Sequence, residues 1–85
     1  MRYPVAIEPG NETQAFGAVI PDLPGCFSAG DSLEEAMRSA PAAIAAWIGV
    51  TRAAGQPIPP PSSVDVLKTL HPDLADWVWA EVNVA

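Results

Sequence analysis

Residues 19–36 read Val19-Ile20-Pro21-Asp22-Leu23-Pro24-Gly25-Cys26-Phe27-Ser28-Ala29-Gly30-Asp31-Ser32-Leu33-Glu34-Glu35-Ala36, and the punctuation of this stretch decides the fold. Pro21, Pro24 and Gly25 make a rigid turn, because the prolines fix φ and the glycine permits a left-handed exit. A short strand follows over residues 26–30. Ser32-Leu33-Glu34-Glu35 then has capping-box spacing. The Ser32 hydroxyl is placed to accept from the Glu35 amide, and the Glu35 carboxylate to reach back to the Ser32 amide. Both glutamates sit in a first helical turn, where the macrodipole favours negative charge.

Downstream, Leu33, Ala36, Met37, Ala40, Ile44, Trp47 and Ile48 recur at helical spacing and define one apolar stripe. The spacing predicts a helix ending near Ala54, with Gly55 as its stop. Pro41 lies inside the stripe and has no amide to give the Met37 carbonyl. The stripe keeps its phase across Pro41, which predicts one kinked helix and not two. Off the stripe, Ala42, Ala43, Ala45, Ala46 and Gly49 stand where a solvated face would carry charge, which suggests a second contact surface. Residues 57–61 contain four prolines and read as an extended connector. Ser62 or Ser63 is placed to cap a short helix over residues 64–70, which Pro72 ends. Residues 77–84 alternate again, as a fourth strand.

Upstream, Tyr3, Val5 and Ile7 alternate with polar or small residues over positions 2–8, a strand with Pro4 near its start. Pro9-Gly10-Asn11-Glu12 reads as the turn of a hairpin whose second strand covers residues 15–20. Phe16, Ala18 and Ile20 share one face of it. The expected fold is α+β: a three-stranded antiparallel meander, a long kinked helix as crossover, and a fourth strand beside the first. The spatial order is then 3-2-1-4, and the crossover allows the last strand to run parallel to the first. The helix covers one face of the sheet. The other, with Trp77 and Trp79, is expected to be bare and buried by another chain. No repeat or domain boundary interrupts residues 1–85, which read as a single domain with no DNA-binding domain within it.

An 85-residue chain buries only about 60% of its unfolded surface, so a partner or an oligomer helps to stabilise it. Its net charge is −6, and its four basic residues, Arg2, Arg38, Arg52 and Lys68, are scattered. That argues against direct nucleic-acid binding, which needs a basic stripe, and favours a basic protein partner. No apolar run reaches the roughly 18 residues of a membrane span, and the N-terminus lacks a signal-peptide core, which predicts the cytoplasm. Cys26 and His71 are the sole residues of their kinds, so neither an internal disulfide nor a zinc cluster is expected. Cys26 reads as a packed strand residue, and His71 as a helix-end residue without a nucleophile to serve. No cofactor, metal or small-molecule substrate is indicated.

With these elements placed, residues 19–36 resemble the core signature of HicB antitoxins. Arg2-Tyr3-Pro4-Val5 with Glu8-Pro9-Gly10 is similar to family members as well. So are Pro57-Ile58-Pro59 with Pro61-Ser62-Ser63, and Trp77-Val78-Trp79-Ala80 with Val82 and Val84. The resemblance covers essentially the whole chain, in order. It implies a partly degraded ribonuclease-H-like fold and a small, basic HicA-type toxin as partner, a protein that cleaves mRNA through a histidine. It also implies a homodimer or higher homo-oligomer. Longer relatives continue into a DNA-binding module, and Pro41 with its alanines departs from the charged helix positions of relatives.

The function implied is an antitoxin that masks the toxin, not an enzyme. The alternatives are a stand-alone oligomerising interaction domain, or a residual nuclease. The nuclease requires several carboxylates converging on strand centres, whereas the first strand centres on Val5-Ala6, and Glu8, Asp22 and Asp31 lie at strand ends or turns. For toxin contact the candidates are Asp22 on its rigid turn and the acidic group Asp31, Glu34 and Glu35. Capping also claims Asp31 and Glu35, which leaves Glu34 the freest. For an oligomer or toxin interface they are Trp77, Trp79, Ala42 and Ala46. Pro21, Pro24 and Gly25 are expected to shape the motif turn without contacting anything.

Overall fold

The structure, a computed structural model, describes residues 1–10 and 14–84. Asn11 and Glu12 of the expected first turn lie outside the described residues. Strand β1 spans Arg2–Glu8, β2 Phe16–Val19 and β3 Phe27–Gly30. Helix α1 follows over Leu33–Ala53, then α2 over Val64–Leu70, a 3-10 turn over Pro72–Leu74, and β4 over Val78–Asn83. The strands form one sheet in the order β3-β2-β1-β4, and every neighbouring pair is antiparallel.

The direction of β4 corrects the parallel alignment that the crossover allowed. Tyr3 pairs with Val82 and Ile7 with Val78, so β4 enters the sheet at the end where β1 leaves it. The reason lies in the chain between α1 and β4. Helix α1 returns the chain to the Arg2 end of the sheet, and α2 with the 3-10 turn then carries it back along the sheet before β4 begins. Beyond the strands, the Met1 amine donates to the Val84 carbonyl and the Val84 amide to the Met1 carbonyl, both at 2.8 Å, extending the β1–β4 ladder.

The α1 face of the sheet is the core. Tyr3, Val5, Ile7, Ala18, Ile20, Leu23, Cys26, Val82 and Val84 meet Ala36, Ala40, Ile44 and Ile48 of the helix in one buried cluster. Met37 and Trp47 pack against its margin; Leu33, the first residue of the expected stripe, is exposed. The helix runs unbroken through Pro41. It ends with the Gly55 amide on the Arg52 carbonyl and the Gln56 amide on the Thr51 carbonyl, both at 3.0 Å. Gly55 has φ +73, the left-handed closure expected of a glycine stop. Close packing of β3 on α1 needs a second glycine: a Cβ on Gly30 would lie 2.6 Å from the Ala36 amide nitrogen.

The opposite face is not bare. Antiparallel partners share a face, so the register puts Pro4, Ala6, Val19, Phe27 and Trp79 on the side away from α1. Pro4 and Ala6 are nevertheless buried, as are Leu67 of α2 and Leu74 of the 3-10 turn, outside the main cluster. The Trp79 indole donates to the Leu74 carbonyl at 3.0 Å. The α2 segment therefore covers the β1–β4 half of this face, and Trp77 and Trp79 are half-buried within the chain itself. What stays open is the β2–β3 half.

Candidate partner-binding surface

The motif turn is built as its composition dictates. Its backbone closes through Leu23 to Ile20, at 3.0 Å, and Cys26 to Leu23, at 2.9 Å, with Ile20 donating to the Cys26 carbonyl at 3.1 Å. Gly25 takes φ +82. The Pro24 carbonyl accepts from the Trp47 indole at 2.8 Å, so the turn is held to α1 and Pro24 does make a contact.

Asp22 is occupied by the chain's own connector. Its Oδ2 accepts from the Ser62 amide at 2.8 Å and its Oδ1 from the Ser62 hydroxyl at 2.7 Å. The Tyr3 hydroxyl donates to the Pro59 carbonyl at 2.7 Å. These bonds fasten the connector where it turns around the end of the sheet. Burial pushes the Tyr3 phenol above its ordinary pKa, the Asp22 carboxylate adds to the rise, and the Arg52 guanidinium opposes it. Burial alone raises the Cys26 thiol.

At the other end of β3 the acidic group is partly self-satisfied. The Glu35 amide donates to Ser32 Oγ at 3.1 Å, as the capping box requires. The Glu35 carboxylate accepts from the Asp31 amide at 3.1 Å, one residue further back than the box predicted. Glu34, expected to be the freest, pairs with Arg38 at 2.7 Å. That pair is largely solvated and contributes little stability. Asp31, Glu34 and Glu35 are all exposed, and the structure brings them together at the start of α1. It does not bring Asp22 to them.

Ala46 lines an apolar groove of about 370 Å³ with Gly25, Cys26, Phe27, Trp47 and Val50. Ala42 is exposed on the same helix but is not part of the groove lining. Phe27 and Val50 are 70% and 72% exposed. Sequence reasoning missed both. The available signal was the alternation of Cys26, Ser28 and Gly30 against Phe27 and Ala29, which puts an aromatic on the face away from α1. Ser63, one of the two serines considered, caps α2 by accepting from the Val66 amide at 3.2 Å. His71 closes that helix, its amide donating to the Leu67 carbonyl at 2.8 Å. Among the described residues no group of His, Cys, Asp and Glu could hold a metal ion, and no helix is long and apolar enough to cross a membrane.

Comparison with known proteins gives this surface a setting. A crystal structure of the N-terminal domain of the Burkholderia pseudomallei antitoxin HicB superposes with a TM-score of 0.81 at 28% identity, covering 100% of this chain and 99% of that one. A chain of the HicA3 and HicB3 toxin–antitoxin complex superposes at 0.77 with 25% identity, over 100% and 99% of the two chains. An uncharacterised 14.9 kDa protein of Haemophilus phage HP1 is 52% identical over 44 residues, which is 52% of this chain and 32% of the phage protein. The matched segment thus spans about a third of that curated relative's length. The profile of the HicB-like antitoxins of bacterial toxin–antitoxin systems matches residues 3–85, and the chain belongs to that family.

Proposed function

We propose that this chain is an antitoxin that binds a small, basic HicA-type toxin and masks its mRNA-cleaving surface. The observation that carries the reading is the end-to-end superposition on a chain of a toxin–antitoxin complex, within a family match over residues 3–85. Residues 1–85 then act as one toxin-binding domain in the cytoplasm, without a catalytic role, a cofactor, a small-molecule substrate or direct contact with nucleic acid. The acidic balance of −6 suits a basic partner and speeds the encounter. Asp31 and Glu34 are the acids best placed for toxin contact, being exposed. Asp22 is better read as a structural latch, given its two bonds to Ser62. A partly degraded ribonuclease-H-like fold belongs to the same reading, supported by the strand order and by the helix after β3, and the reading needs no residual nuclease chemistry.

The test is co-expression with the HicA-type toxin encoded beside the gene. Growth rescue and co-purification of the two proteins are expected. A toxin that stays lethal and unbound in the presence of the folded chain refutes the reading. The exposed parts of Trp77 and Trp79 and the edge strand β4 favour homo-oligomerisation as an accompanying property, which sedimentation of the chain alone measures.

A further inference from the structure

Strand β3 is an edge strand, and both surfaces that flank it are apolar. On the side away from α1 lie Gly17, Val19, Phe27 and Ala29, by the register of β2 with β3. On the α1 side lies the groove lined by Ala43, Ala46, Trp47 and Val50. Phe27 belongs to both, because it lines the groove and stands 70% exposed. Among the described residues, no charged one lines the groove. Where β3 ends, about 13 Å away at a strand's rise per residue, Asp31, Glu34 and Glu35 follow, and the Arg38 guanidinium is taken up by Glu34. One side of the molecule therefore presents an open strand edge, an apolar groove and an excess of negative charge in a row.

We propose that the β3 edge and its groove are the surface on which a basic protein partner docks, placing an apolar side chain beside Phe27, Ala46 and Val50 and its lysines or arginines against Asp31 and Glu34. An edge strand offers unpaired backbone groups to an incoming strand. Apolar anchors supply most of the affinity and flanking charges the orientation. The charge selects the occupant. A second copy brings the same −6 and the same acidic end, so pairing copies here doubles the charge without a countercharge. A basic partner neutralises it. This inference rests on the antitoxin reading and adds the surface to it.

The experiment uses residues 1–85 and a catalytically inactive form of the adjacent-gene toxin, with affinity measured by calorimetry. Phe27→Ser and Val50→Ser alter exposed side chains, so the variants keep the wild-type circular dichroism and thermal midpoint, which are checked first. Each is expected to weaken toxin binding at least tenfold. Asp31→Asn with Glu34→Gln is expected to slow association and flatten its salt dependence, and Leu70→Ser, on exposed α2, to leave binding unchanged. If the wild type binds the toxin and Phe27→Ser and Val50→Ser bind as tightly, the surface is wrong while the antitoxin reading stands. If they instead dissociate a homo-oligomer and keep full toxin affinity, the groove belongs to a second copy and the proposal is overturned. If the wild type does not bind the toxin, both readings fall together.

Discussion

The carboxylate of Asp22 grips Ser62 with both oxygens, one on the backbone amide and one on the hydroxyl, across 40 positions of sequence. This pair pins the connector at the point where the chain passes from the α1 layer to the layer that α2 makes on the opposite face. It follows that Asp22→Ala loosens more than a turn. Two hydrogen bonds to an ionised acceptor are lost, which costs about 1–3 kcal/mol at a half-buried site. Chemical denaturation measures the loss. Hydrogen exchange is expected to rise over residues 57–63 before it rises in α1.

Gly30 tests the seating of α1 on β3. A Cβ there meets the Ala36 nitrogen at 2.6 Å and the Glu35 carbonyl carbon at 2.8 Å, both backbone atoms that cannot swing aside. Gly30→Ala is expected to destabilise the fold by about 1–3 kcal/mol, the cost of overpacking. Gly17→Ala, whose Cβ would meet nothing within 4 Å, is expected to be tolerated. Thermal unfolding of the two variants side by side makes the comparison.

Alkaline pH is expected to weaken the fold through two residues. The Tyr3 phenol and the Cys26 thiol both have folded pKa values raised above their ordinary values of 10.0 and 9.0. Each group is neutral when protonated, so its contribution is fully present below the unfolded pKa. That contribution is lost as pH rises through the folded pKa. Stability is therefore expected to hold near neutrality and decline above about pH 9, starting with the thiol. Tyr3→Phe with Cys26→Ala should flatten that decline in pH-dependent denaturation, at a fixed cost from the missing bond to Pro59.

Pro41 removes one amide from the interior of α1. Restoring it with Pro41→Ala returns a donor for the Met37 carbonyl and relieves ring crowding, worth up to about 3 kcal/mol. The freer unfolded chain offsets about 0.4–1 kcal/mol of this. A higher midpoint of thermal unfolding is the expected outcome.

The elements with local signatures are legible in the sequence. Capping by Ser32, the stop at Gly55, the apolar stripe from Ala36 to Ile48 and the strand order follow from periodicity and turn chemistry. What the sequence hid depends on long-range placement. Parallel or antiparallel entry of β4 turns on which end of the sheet the chain reaches after α2, and no residue in β4 encodes that. The alternation over residues 77–84 showed two faces but not that Leu67 and Leu74 would cover one of them. Asp22 looked like a free turn acid because its partner lies far along the chain. Among the contact candidates, Asp31 and Glu34 keep their exposed positions, whereas Trp77 and Trp79 are half-buried, with the Trp79 indole bonded to Leu74 of the 3-10 turn.

The central place of β1 sets a condition on synthesis. Strand β1 is made before either of its neighbours and is flanked by β2 on one side and on the other by β4, about 70 residues later in the chain. High contact order of this kind slows folding, since the closing contacts wait for distant residues. A nascent chain that has not yet released Val78–Asn83 holds Tyr3, Val5 and Ile7 with one ladder unfilled. Until β4 is released, the half-made sheet offers the free edge of β1 to any strand that reaches it first.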